Sequence, residues 1–201
     1  MATRYDQLLS LIDQHKPHLI IEVGVHRAVR AVAMCERALK HHKAVDYMGF
    51  DVFETMGQKF QEEALNGKGM PTEAHARYAL RRAQNVATAN RRSLGFNLVI
   101  GDTRQTLHGR PAGFYGALAF IDGDHRVECI RADYEALKAC PVVVFDDYYV
   151  PDARGVTVDL AKYGANAVVA ELEHYGAKVE ILPAADPCKH GGVIKLAVVR
   201  R

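Results

Sequence analysis

The chain has 201 residues, 49% hydrophobic and 25% charged, with a formal net charge of +2. This is enough for one domain with a sizeable core, and so small a charge gives no reason to expect a nucleic-acid or membrane partner. No run approaches the ~20 apolar residues of a membrane span, Met1–Ser10 is polar rather than signal-like, and Cys35, Cys129, Cys140 and Cys188 form no Cys-x-x-Cys pair; we expect a cytoplasmic protein with reduced thiols and neither a zinc site nor a disulfide framework.

Thr3–His15 carries Tyr5, Leu8, Leu9 and Ile12 at helical spacing and is stopped by Pro17. His18–Val23 reads as a first strand closing on Gly24, Ala28–Leu39 as a helix, and Val45–Phe50 as a second strand ending in Asp51. Together they have the length of a βαβ unit. Met56–Arg92 has no strand signal and holds the loop N-G-K-G-M-P at Asn66–Pro71. We expect a lid-like insertion at about 56–92, lying over the catalytic edge. Its arginines, Arg77, Arg81, Arg82, Arg91 and Arg92, suit a solvated helix face or, as a sharper reading, recognition of an acidic substrate.

Phe96–Ile100 is the third strand and runs into Gly101-Asp102-Thr103. Leu118–Ile121 is the fourth, Glu128–Ala139 a helix, and Val142–Phe145 the fifth. Val156–Tyr175 reads as largely helical with a break at Gly164, Lys178–Leu182 as a sixth strand, Pro183–Gly192 as a polar loop and Val193–Val199 as the last strand. Apolar runs alternating with helical segments, without internal repeat or linker, predict a single α/β domain over 1–201 with a mostly parallel sheet.

The chemistry gathers at the ends of strands. Leu118–Ile121 and Val142–Phe145 suit strands buried on both faces, and they end in Asp122, Asp124 and His125 and in Asp146 and Asp147. Ligands in open α/β sheets bind at the carboxyl ends of the strands, so these acids and the histidine should share one edge. Asp122, Asp146 and Asp147 can converge on a hard cation, Mg²⁺, Mn²⁺ or Ca²⁺. His125, titrating near neutrality, can take a proton from a hydroxyl. Gly24 after the first strand allows close approach of a ligand, and Asp51 after the second can accept from both ribose hydroxyls of an adenosine. Asp102 can bind an adenine amino group or cap a helix. The sequence V-H-R-A-V after Gly24 is neither a Gly-x-Gly-x-x-Gly fingerprint nor a Walker A loop, which favours a cofactor with an adenosine but no phosphate.

Several segments resemble the class I S-adenosylmethionine-dependent methyltransferases, specifically the small-molecule O-methyltransferase-like group of macrocin O-methyltransferase and the catechol-type relatives. They are I-I-E-V-G-V-H-R (Ile20–Arg27), Y-M-G-F-D-V-F-E (Tyr47–Glu54), G-D-T-R-Q-T-L (Gly101–Leu107), F-I-D-G-D-H (Phe120–His125), V-F-D-D-Y-Y (Val144–Tyr149) and the final G-G-V-I-K-L-A-V-V. The resemblance implies a Rossmann-like seven-stranded sheet of order 3-2-1-4-5-7-6, last strand antiparallel, with helices on both faces. It implies that Glu22, Gly24, Asp51, Asp102 and Asp124 bind S-adenosyl-L-methionine, that Asp122, Asp146 and Asp147 bind a divalent cation, Mg²⁺ foremost, and that His125 and Asp122 are catalytic. The implied reaction is methyl transfer to a hydroxyl of a small molecule. The N-terminal helix and the lid are candidate homo-oligomer surfaces.

The first loop departs from the pattern: where the family usually continues Gly-Gly-Ser after the arginine, this chain has Ala28-Val29-Arg30. That change motivates an alternative, a catalytically inactive methyltransferase fold serving as a binding or scaffold protein. No Asn/Asp-Pro-Pro-Tyr motif of amino-methylating enzymes is present, which points to oxygen as the acceptor. A dehydrogenase reading lacks the glycine fingerprint.

Overall fold

Alternating apolar strands and amphipathic helices assemble as the sequence predicts, into one twisted sheet with helices on both faces. The computed structural model describes residues 2–55, 71–107, 116–153 and 155–201. Its strands are β1 (Leu19–Val23), β2 (Ala44–Asp51), β3 (Ser93–Ile100), β4 (Ala117–Ile121), β5 (Val142–Val150), β6 (Val179–Ile181), β7 (Asp186–Pro187) and β8 (Val193–Arg200). Its helices are α1 (Arg4–His15), α2 (Val29–Ala38), α3 (Glu73–Ala89), the short α4 (Thr103–Thr106), α5 (Val127–Leu137) and α6 (Asn166–His174).

The strand order is β3-β2-β1-β4-β5-β8-β6, with β7 paired to β8. β8 runs antiparallel to β5 and β6, and the β1, β2, β3, β4 and β5 neighbours are parallel. The expected order holds, with one added two-residue strand inside the predicted loop 183–192. The order reverses between β1 and β4, and that switch point opens a crevice at the strand ends.

Every residue of β4 is buried, as a strand covered on both faces requires. Leu8, Leu11 and Ile12 of α1, Met34 of α2 and Leu80 of α3 pack on one face of the sheet. Val127, Ile130 and Tyr134 of α5 and Val168 of α6 pack on the other. Thr3 caps α1 in a reciprocal capping box with Asp6, which fixes where that helix starts and places Arg4 and Tyr5 in its first turn.

Residues 56–70 of the expected lid lie outside the described residues. Residues 73–89 form the crossover helix α3 between β2 and β3, with Ala76, Leu80, Ala83 and Ala87 buried. Two of its arginines have intramolecular partners: Arg77 pairs with Glu73, and Arg82 lies over the Tyr78 ring. Past the helix, Arg92 donates to the carbonyls of Leu39 and His42. The expected helix over 156–175 shrinks to α6, because Gly164, at φ +85°, turns the chain just before it.

Candidate active site

A cavity of about 440 Å³ opens at the switch point, within the size range of small-molecule sites. The loops after β1, β2, β3 and β4 build it. It is lined by Gly24, Asp51, Asp102, Asp122, Asp124 and His125 among the residues singled out from sequence, with Val25, Phe50 and Phe53 as apolar surface and Arg27 and Arg30 as cations. Glu22, Asp146 and Asp147 are not among its lining residues.

The loop after β1 is held by backbone. Gly24 donates to the carbonyl of Phe50 at 2.8 Å. A side chain at Gly24 would place its Cβ 2.1 Å from the carbonyl oxygen of Asp122, at a φ of +89°. This glycine therefore lets the β1 and β4 loops touch. Two residues on, His26 donates its N–H to Asp51 Oδ2, and Phe53 donates to Oδ1, both at 2.8 Å. The Asp51 carboxylate is thus fixed at the cavity wall by two backbone bonds, with lone pairs left to accept ligand hydroxyls. Ala28 takes a left-handed conformation, φ +57°, which costs a non-glycine residue about 1 kcal/mol. Ala28 is fully buried, whereas Val29 beside it is exposed.

For Asp102 the helix-cap reading holds. It lines the cavity, and it caps α4 by accepting from the Arg104 N–H at 2.9 Å. Arg104 also pairs with it through the guanidinium; this hydrogen bond holds the carboxyl below its ordinary value. Asp124 has the same arrangement with Arg126, accepting from its N–H at 3.0 Å and from its guanidinium.

Glu22 lies in the layer behind the site. It is 1% exposed and accepts from the Tyr47 hydroxyl at 2.5 Å, while its other oxygen has no hydrogen-bond partner. Burial pushes its carboxyl up to about 8, against the Tyr47 bond.

A bulge in β5 organises the other acids. The β5–β8 register slips between Phe145 and Tyr148, and Asp147 adopts φ +54°. Such a non-glycine conformation persists only where surroundings over-determine it. The bulge buries both Asp146 and Asp147. Asp147 pairs with His125 Nδ1. Asp146 accepts from the Asp147 N–H at 2.8 Å and from the Tyr5 hydroxyl at 2.9 Å, and lies 3.1 Å from Arg4 Nε.

Burial and the neighbouring Asp147 push the Asp146 carboxyl up, and Arg4 pulls it back. Burial disfavours the Arg4 charge, but Asp146 and Tyr5 more than offset this and hold the guanidinium protonated.

These contacts give the expected cation site no support. Among the described residues no group of three or more His, Cys, Asp and Glu side chains is placed to hold a metal ion. Asp146 is committed to Arg4 and Tyr5, and Asp147 to His125. Sequence reasoning assigned no site role to Arg4 or Tyr5. Tyr5 lines the cavity, and the Arg30 guanidinium lies 3.4 Å above its ring. The helical pattern that made Tyr5 an apolar position concealed this, because the hydroxyl points past the core to a residue 141 positions away.

No family model and no curated protein matches the chain. Solved structures do. The Bacillus cereus O-methyltransferase in complex with SAH is similar over 98% of this chain and 80% of its own, at 15% identity and a TM-score of 0.59. The O-methyltransferase TomG of Streptomyces achromogenes, involved in tomaymycin synthesis and solved with SAM, is similar over 98% and 79%, at 16% and 0.58. The methyltransferase domain of a bacterial Hen1 (CtHen1-C) is similar over 98% and 96%, at 12% and 0.53. The chain has a methyltransferase fold. Among the described residues no helix is long and apolar enough to cross a membrane.

Proposed function

We propose that the chain is an S-adenosylmethionine-dependent methyltransferase acting on a hydroxyl of a small molecule. One observation carries the reading: a single cavity joins the ends of β1, β2, β3 and β4 and has at its wall His125, whose Nδ1 pairs with Asp147. The fold shared with solved O-methyltransferases supports it. The donor set suits a zwitterionic nucleoside without phosphates. Asp51 suits ribose hydroxyls, Asp102 an adenine amino group, Asp122 and Asp124 an ammonium, and Arg30 a carboxylate, with Val25, Phe50 and Phe53 as apolar walls.

When bound, S-adenosylmethionine supplies an electrophilic methyl on a sulfonium. The protein's own work is to hold the nucleophile in line, exclude water and remove one proton. Asp147 fixes the tautomer and orientation of His125 through Nδ1, so that the opposite ring nitrogen takes the hydroxyl proton. Tyr5 remains a neutral hydroxyl, since burial and the charges of Asp146 and Asp122 oppose its ionisation. It is therefore not the base.

Incubation with methyl-labelled S-adenosylmethionine and a panel of hydroxylated acceptors tests the reading. Label in a methyl ether is the expected result. Cofactor binding with no label in any acceptor would favour a scaffold role.

A further inference from the structure

We propose that Arg4 takes the place of the divalent cation in this chain: its guanidinium is the fixed counter-charge of Asp146, and Tyr5 is bonded to both. The inference rests on the methyltransferase reading for the expectation of a cation at these strand ends. The geometry comes from α1. Arg4 Nε lies 3.1 Å from Asp146 Oδ1 and 3.5 Å from Asp186 Oδ2. Its N–H is aimed at neither oxygen, so these are charge contacts rather than directed hydrogen bonds. Arg4 Nη2 donates to the Tyr5 hydroxyl at 2.7 Å, which in turn donates to Asp146 Oδ2 at 2.9 Å.

The Arg4 and Asp146 side chains are 12% and 1% exposed. A buried carboxylate requires a counter-charge, and here it is covalently part of the chain. Both Asp146 oxygens are engaged, Oδ1 by the Asp147 N–H and Oδ2 by Tyr5. A hard cation needs several oxygens with open lone pairs, and a guanidinium beside them repels it.

The test uses Mn²⁺, followed by its paramagnetic resonance signal, with melting temperatures and no cofactor. The wild type should bind no Mn²⁺ and melt at the same temperature in Mg²⁺ and in chelator. Arg4→Ala should melt about 10 °C lower, because it strands a buried carboxylate. It should also gain Mn²⁺ binding and recover part of that loss when Mn²⁺ is added. Arg4→Lys keeps the charge and should bind no Mn²⁺. If Arg4→Ala does not fold, the double variant with Asp146→Asn, which removes both charges, should fold, and its failure to fold counts against the proposal. Mn²⁺ bound tightly by the wild type, or a folded Arg4→Ala that binds none, overturns it. None of these readouts depends on S-adenosylmethionine binding, so they fail or succeed apart from the methyltransferase reading.

Discussion

Gly164 donates its amide to the carbonyl of His125 across 2.7 Å, and Ala165 beside it donates to the carbonyl of Asp147 at 3.1 Å. The turn before α6 thus holds the backbones of both members of the proposed proton-accepting pair. A side chain at Gly164 would place its Cβ 2.6 Å from the Tyr149 ring and 2.9 Å from the Asp147 carbonyl oxygen, at a φ of +85°. Gly164→Ala should therefore lower kcat about 10- to 100-fold, as expected for a small misplacement of reacting groups, while the cofactor Kd stays within twofold. Steady-state kinetics beside calorimetry checks it; equal losses in kcat and cofactor affinity would contradict it.

Asp147→Asn preserves size and removes the charge behind His125. The expected result is a kcat loss of about 10²- to 10⁴-fold, the range of a general base, with cofactor affinity unchanged. Single-turnover methyl transfer separates this from slow product release.

Much of this site was legible in the sequence, because strand ends are legible. An apolar run that stops in an acid fixes both the element and the edge, and this placed Asp51, Asp102, Asp122, Asp124 and His125 on one cavity. The partners of Asp146 and Asp147 were not legible. Two adjacent acids after an apolar strand look alike whether they face a metal, an arginine or a histidine. A one-residue bulge decides which way each points, and its signature, φ +54° at Asp147, leaves no mark in composition. Arg4 was hidden for a related reason: a charged residue in the first turn of an amphipathic helix ordinarily faces water.

Two buried carboxylic acids behind the site give a pH signature. Burial raises Glu22 to about 8 and Asp133, on α5, to about 7, the latter against a Thr103 hydroxyl. Neither oxygen of Asp133 has a well-aligned donor. Both folded values lie above the unfolded ones, so the folded chain holds more protons between about pH 4 and pH 8. The stability they contribute is complete below pH 4 and is lost as pH rises through 7 to 8. Glu22→Gln and Asp133→Asn should each flatten that decline, gaining on the order of 2 kcal/mol relative to wild type at pH 8.5. Urea unfolding at pH 5 and pH 8.5 measures it; parallel pH profiles for variant and wild type would refute it.

Asp51 is gripped by the His26 and Phe53 amides, which leaves its charge aimed at the cavity. Asp51→Asn should weaken cofactor binding about 10-fold, the worth of one charge-assisted hydrogen bond, with little change in melting temperature.

Calorimetric titration with S-adenosylhomocysteine, the demethylated product, asks directly whether this cavity holds S-adenosylmethionine. The expected result is one site per chain, micromolar affinity, and about tenfold weaker binding to Asp51→Asn. No heat of binding to the folded wild type at millimolar ligand would contradict it and leave the methyltransferase fold without the activity.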